Sequence, residues 1–198
     1  MRTPTPPSPP RPRAAAARSG GRGICRGFTA AELATVLAIV AILAGRGTPD
    51  FLRLRASAAT ASGADRLLAA LHFARSRAIL SGRPVVVCLS SDLENCLGRG
   101  PQAAQGWIVF ENTRAEFTPE RDPGEPILRT HRLSRPAALH ATRAAVTYWP
   151  TPRAAATSTF EFCSEVAGST PRAVIVSQTG RPRLRTGRPG GASACSGA

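Results

Sequence analysis

One carboxylate asks for an explanation before any other residue in the chain. Glu32 sits within the apolar run Phe28 to Gly45, FTAAELATVLAIVAILAG. An unpaired charge there costs about 2.5 to 3.5 kcal/mol even on membrane-insertion scales, so the residue requires a partner. A second concentration of charge lies near the other end, in Gly180-Arg181-Pro182-Arg183-Leu184-Arg185-Thr186-Gly187-Arg188, with no acid after Glu165. If Arg181, Arg183 and Arg185 form a strand, they share one face at intervals of about 6.6 Å, and successive guanidiniums then reach successive phosphates of an anion. Pro182 would place that strand at a sheet edge. Other chemistry is sparse. His72, His131 and His140 do not neighbour a cysteine, the cysteine spacing resembles no zinc signature, and no metal is expected. Glu111, Glu116, Glu120, Asp122 and Glu125 lack the alternation of a calcium loop and read as a solvated loop. Nothing resembles a nucleophile elbow or a phosphate-binding glycine loop, so neither catalysis nor a cofactor is expected.

These residues must be positioned by few elements, because 198 residues make one modest domain plus extensions. Residues 1–27, rich in Pro, Arg, Ala and Gly, cannot bury enough surface to order themselves. The run from Phe28 is about 18 residues, roughly 27 Å as a helix, near the hydrocarbon thickness of about 30 Å. A secretory signal peptide has a similar profile but would not carry Glu32 in its apolar core. After Pro49, apolar residues at Phe51, Leu54, Ala58, Ala61, Leu68, Leu71, Ala78 and Ile79 recur at helical spacing, with Arg53, Arg66, Arg75 and Arg77 off that face. Ser81-Gly82 and Pro84 end the helix. Strands follow at Val85 to Leu89, Trp107 to Phe110, Ile127 to His131, Ala145 to Trp149, Ser158 to Cys163, Ala173 to Ser177 and Arg181 to Arg185. One helix followed by serial strands predicts an α+β fold, the helix covering one face of an antiparallel sheet. Phe73, Trp107, Phe110, Phe160 and Phe162 are the expected core aromatics.

Gly27-Phe28-Thr29-Ala30-Ala31-Glu32-Leu33 resembles the processing signature of type IV pilins and type II secretion pseudopilins. The resemblance implies cleavage between Gly27 and Phe28 by a prepilin peptidase and N-methylation of Phe28. Pro49 is the twenty-second residue from Phe28, where these families commonly carry a helix-bending proline. The new α-amine of one subunit could then neutralise Glu32 of its neighbour in a filament core, fixing register. The rest of the chain resembles the GspH/FimT family in motif order. Leu71-His72-Phe73-Ala74-Arg75-Ser76-Arg77-Ala78-Ile79 looks like its helix ending, and Pro84-Val85-Val86-Val87-Cys88-Leu89-Ser90-Ser91 like its first strand. Gly106-Trp107-Ile108-Val109-Phe110 and Ala173-Val174-Ile175-Val176-Ser177 look like later strands.

The resemblance implies a pilin-like subunit with four parts: a cleaved cytoplasmic leader 1–27, a transmembrane or filament-core helix 28–48, an amphipathic helix 49–82, and a periplasmic β-rich domain 83–198. Its partners would be other pilins or pseudopilins, the prepilin peptidase and an inner-membrane assembly platform. Six leader arginines outnumber Arg46, Arg53 and Arg55 on the far flank, which puts the N-terminus in the cytoplasm and the domain in the periplasm. Losing the leader removes six of 26 cations and none of 12 acids, leaving a net charge of +8, still suited to an anionic partner. Gly180-Arg181-Pro182-Arg183 also resembles the GRxR signature of FimT-type minor pilins, which bind DNA in natural transformation. That resemblance implies DNA contacts from Arg181 and Arg183, and the run of arginines extends the expected contacts to Arg185 and Arg188. With Cys25 lost in the leader, four cysteines remain for an oxidising compartment and three pairings are possible. Cys88 with Cys96, across a strand-loop return, and Cys163 with Cys195, tying down the C-terminus, are the favoured ones.

Overall fold

The computed structural model describes residues 28–98, 104–114, 119–151 and 156–187. Among these residues a single helix, α1 (Ala30–Ser81), runs through Pro49 and precedes eight strands: β1 (Val85–Ser90), β2 (Gly106–Glu111), β3 (Ile127–Arg132), β4 (Ala137–Ala141), β5 (Ala145–Tyr148), β6 (Ser158–Ser164), β7 (Arg172–Val176) and β8 (Pro182–Thr186). The chain divides into two compact units after Ile42. Side chains of residues 28–45 are all exposed, and an 18-residue window of α1 is apolar enough to cross a membrane. Gly82, with φ +67°, takes the left-handed conformation that ends a helix, and Pro84 prevents its resumption.

In the unit from Leu43 onward the strands form two four-stranded antiparallel sheets, ordered β3-β2-β1-β5 and β4-β6-β7-β8. The fold class is α+β, as the strand-after-helix order predicts, but the strands divide between two sheets rather than forming one. β4 is not among the predicted strands. Its sequence, AALHA, has weak strand propensity, and its pairing along β6 decides its conformation.

The main core lies between α1 and both sheets. Leu67 and Leu71 of α1 meet Val85, Val87, Trp107 and Val109 of the first sheet and Phe160, Phe162 and Val174 of the second. Trp107 and Phe162 meet edge to face, with ring centroids 6.3 Å apart. The predicted apolar face of the helix needs correction. α1 buries Ala56, Thr60, Gly63, Ala64, Leu67, Ala70, Leu71, Ala74 and Ala78, whereas Phe51, Leu54 and Ile79 remain 63%, 68% and 60% exposed. The buried stripe is made of small residues because the helix lies close to the sheets. At Gly63 a Cβ would come within 2.9 Å of the Phe162 ring. Phe73 is only partly buried and carries the Arg129 guanidinium 3.7 Å above its ring.

A second apolar cluster, Val86, Cys88, Ile108 and Phe110, lies on the other face of the first sheet, with Leu93, Cys96, Ile127 and Ala145 packed on it. Cys88 and Cys96 are joined by a disulfide, which holds the loop after β1 over that face. Asp92 organises the loop. Its Oδ1 accepts the N–H groups of Glu94 and Asn95, each at 2.8 Å, and the Ser90 hydroxyl at 2.9 Å. Those bonds, the backbone ones first, hold its carboxyl well below the usual carboxylate range. The loop acids need correction too. Glu111 is buried and reaches Arg77 at 3.6 Å and Arg83 at 3.4 Å, clamping the end of α1 to β2. Glu125 is buried and accepts the Thr113 N–H at 2.7 Å and the Asp122 N–H at 3.1 Å. Neither belongs to a solvated loop.

Candidate functional site

Two places concentrate residues whose chemistry the core does not use: the start of α1 and the hairpin of β7 and β8. At the first, Thr29 is the N-cap. Its Oγ1 accepts the Glu32 N–H at 3.2 Å, half of the reciprocal Thr-x-x-Glu capping arrangement. The Thr29-Ala30-Ala31-Glu32 spacing is a sequence signal for this cap that reading Glu32 only as a charge overlooks. The Glu32 carboxylate faces solvent and has no ion-pair partner among the described residues. Negative charge in a first helical turn suits the helix dipole, and this group is free to meet a cation from outside the chain. Gly27 lies outside the described residues, and Phe28 is 85% exposed.

At the second place, Val176 pairs with Pro182, and the chain returns through a short loop. The Ser177 N–H donates to the Arg181 carbonyl at 3.2 Å and the Gly180 N–H to the Ser177 carbonyl at 2.8 Å. Gly180 has φ +71°, the left-handed position that follows a tight turn in a three-residue hairpin loop and that glycine adopts without strain. The Ser177 Oγ accepts the Arg181 N–H at 3.3 Å. The loop therefore delivers Arg181 to the start of β8 in a defined register.

β8 is the edge of the second sheet, and Pro182 is its first residue, a position where a missing N–H costs no ladder bond. Arg181, Arg183 and Arg185 are exposed. Arg183 lies opposite Ile175 and Arg185 opposite Ala173, the face turned away from the Val174 and Val176 side chains of the core. None of the three side chains has an ion-pair partner among the described residues. Arg188 and Cys195 lie outside the described residues. Cys163 is disulfide-bonded.

His131 has a structural role: it packs on Trp107 with ring centroids 4.4 Å apart. Burial first, then the charge of Arg66, moves it below its ordinary pKa. Among the described residues no group of His, Cys, Asp and Glu could hold a metal ion.

The family model described as type II transport protein GspH matches residues 63–180, more than half of the chain. No curated protein matches. Among solved structures, the type IV minor pilin FimU of Pseudomonas aeruginosa is similar at 19% identity, covering 63% of this chain and 90% of that one, with a TM-score of 0.45. The minor pseudopilin EpsH of the Vibrio cholerae type 2 secretion system is 12% identical, covering 67% and 98%, at 0.44. Escherichia coli GspH is 18% identical, covering 73% and 95%, at 0.43.

Proposed function

The chain belongs to the GspH family of type II transport proteins, and on that premise we propose that it is a minor pseudopilin or minor pilin. In this reading it is a structural filament subunit of a type II secretion pseudopilus or a type IV pilus, without enzymatic activity. Residues 1–27 are a leader that a prepilin peptidase removes between Gly27 and Phe28, and Phe28 is then methylated. Residues 28–48 cross the inner membrane with the N-terminus cytoplasmic and later form the filament core. The amphipathic segment 49–82 leads to a periplasmic domain, 83–198, in which Cys163 pairs with Cys195. The subunit enters the filament through an inner-membrane assembly platform, beside other pilins.

The observation that carries this reading is α1 itself. One helix exposes apolar side chains such as Leu37, Val40 and Leu43 along its first half and packs small residues against the sheets along its second. Mass spectrometry of the native protein tests it: the chain should begin at a methylated Phe28, and any other N-terminus overturns the processing scheme. Glu32→Ala should still be cleaved but fail to enter filaments. Normal incorporation of that variant would remove the role given to the carboxylate.

A second reading, DNA binding for uptake in transformation, is favoured by Arg181, Arg183 and Arg185, which are exposed at the edge strand and have no ion-pair partner among the described residues. Arg181, Arg183, Arg185 and Arg188 would contact the phosphate backbone, and affinity should fall steeply with salt as counterions are released.

A further inference from the structure

Beside the β8 arginines lies an open cleft of about 520 Å³, lined by Thr142, Arg143, Thr159, Ile175, Ser177 and Arg183 among others. Its floor is one row across the second sheet, where Thr159 lies opposite Ile175 and Ile175 opposite Arg183. Its far wall is the turn between β4 and β5, which carries Arg143. That turn is pinned. The Thr142 N–H donates to the Thr159 carbonyl at 3.0 Å, the Thr159 N–H to Thr142 Oγ1 at 3.0 Å, and the Ser158 hydroxyl to the Arg143 carbonyl at 3.0 Å. The next residue, Ala144, accepts the Leu89 N–H at 2.7 Å. The Arg143 backbone is thus tied on both sides while its side chain is exposed and has no partner among the described residues. No acid lies between Glu125 and Glu161 in the sequence. Glu161, the one acid in the four strands of this sheet, belongs to the neighbouring row, opposite His140 and Ala173, and is engaged in an interaction of its own.

We propose that this cleft is a phosphate-binding subsite, with Arg143 and Arg183 as its two walls, and that it extends the β8 arginines into a two-sided track for the backbone of duplex DNA. The proposal rests on the DNA-binding reading above and adds a site that lies outside the terminal arginine segment. Two arginines lining one cleft, with the hydroxyl residues Thr142, Thr159 and Ser177 beside them, suit an oxyanion better than a neutral ligand. The track continues along β8 through Arg185, so a polyanion with regularly spaced charges uses more of it than one isolated anionic group. Among the described residues no aromatic side chain lines the cleft, so they offer no stacking platform of the kind by which single strands are held through their bases. Recognition is therefore through the backbone, without sequence preference.

The test measures binding of a short random-sequence duplex to the full-length chain in neutral detergent, across a salt series. Arg143→Gln should weaken binding roughly 3- to 10-fold and reduce the slope of log affinity against log salt by about one. Arg143→Lys should keep the slope, and Arg55→Gln, on α1, should match the unaltered chain. Replacing Arg181, Arg183 and Arg185 together by Gln should weaken binding more. If that triple variant loses binding while Arg143→Gln keeps both affinity and slope, the cleft proposal falls and the DNA-binding reading stands. If the unaltered chain ignores the duplex at low salt, or takes heparin instead, the nucleic-acid reading falls with it. A single strand of thymidines bound much more tightly than the duplex would overturn the backbone-only geometry.

Discussion

The two sheets start from the same arrangement, four antiparallel strands with one face against α1, and differ in what lies on the other face. On the first sheet that face is closed: Val86, Cys88, Ile108 and Phe110 are fully buried beneath a loop held by the Cys88–Cys96 disulfide and by Asp92. On the second sheet it is open only in part: Ala173 and Cys163 are buried there, while Thr159, Glu161, Ile175, Arg183 and Arg185 are half-buried or exposed. A sheet sealed on both sides becomes a scaffold, and a sheet sealed on one side can present a surface. The division places charge on the sheet that gives up least stability to carry it.

The sharpest way to break this contrast is to empty the closed face. Phe110 is 0% exposed on the side of the first sheet remote from α1, so Phe110→Ala should cost about 3 to 5 kcal/mol, the range for deleting a buried aromatic ring. Chemical denaturation of the full chain in detergent reads the effect. A loss under about 1 kcal/mol, the size usual for surface substitutions, would mean that the loop does not seal the face.

Next in size is the disulfide itself. Cys88 and Cys96 are eight residues apart, and closing so short a loop in the unfolded chain is worth about 2.5 kcal/mol on the chain-entropy scale. Replacing both by Ser should lower stability by about that amount and raise hydrogen exchange in the loop after β1, leaving the β7–β8 hairpin protected. Equal loss of protection in both sheets would show that the two faces are not independent.

Much of this architecture can be read from the residues, and the exceptions have common causes. Gly82 and Pro84 announce the end of α1, and the run of valines in β1 announces a strand buried on both faces. Pro182 announces an edge. The buried face of α1 is misread because bulky side chains draw attention, while close packing against Phe162 selects Gly63, Ala64, Ala70 and Ala74. β4 is hidden by its alanines, and its place depends on β6, which is distant in sequence. Glu111 and Glu125 look like solvated acids because their partners, Arg77 and Arg83 for one and backbone N–H groups for the other, converge only in the folded chain. Arg143 escapes notice for the same reason. Nothing in its neighbours hints that a hairpin some 40 residues on will set Arg183 across a cleft from it.

Asp92 gives a smaller effect with a pH signature. Hydrogen bonds to the ionised carboxylate depress its pKa in the folded chain relative to the unfolded one. The stabilisation is therefore complete above the ordinary carboxylate pKa of about 3.9 and fades as pH falls through the lower folded value. Asp92→Asn should melt below the unaltered chain at neutral pH, and the gap should close on acidification below about pH 4. A gap that does not vary with pH would show that the charge of Asp92 contributes nothing to holding the loop.

The smallest effect is expected on the open face, where the contrast is most exposed to failure. Ile175 and Ile108 both point away from α1, one half-buried between Thr159 and Arg183 and the other fully buried in the closed cluster. Ile175→Thr keeps a β-branched side chain suited to a strand and leaves its hydroxyl in reach of water, so the change should stay within about 0.5 kcal/mol. The same exchange at Ile108 would bury that hydroxyl among apolar neighbours, at a cost of about 1 to 3 kcal/mol for the lost solvation alone. A loss of that size at Ile175 would mean that another segment covers the outer face of the second sheet. The cleft floor would then be an interior surface, and no extended polyanion could lie along it.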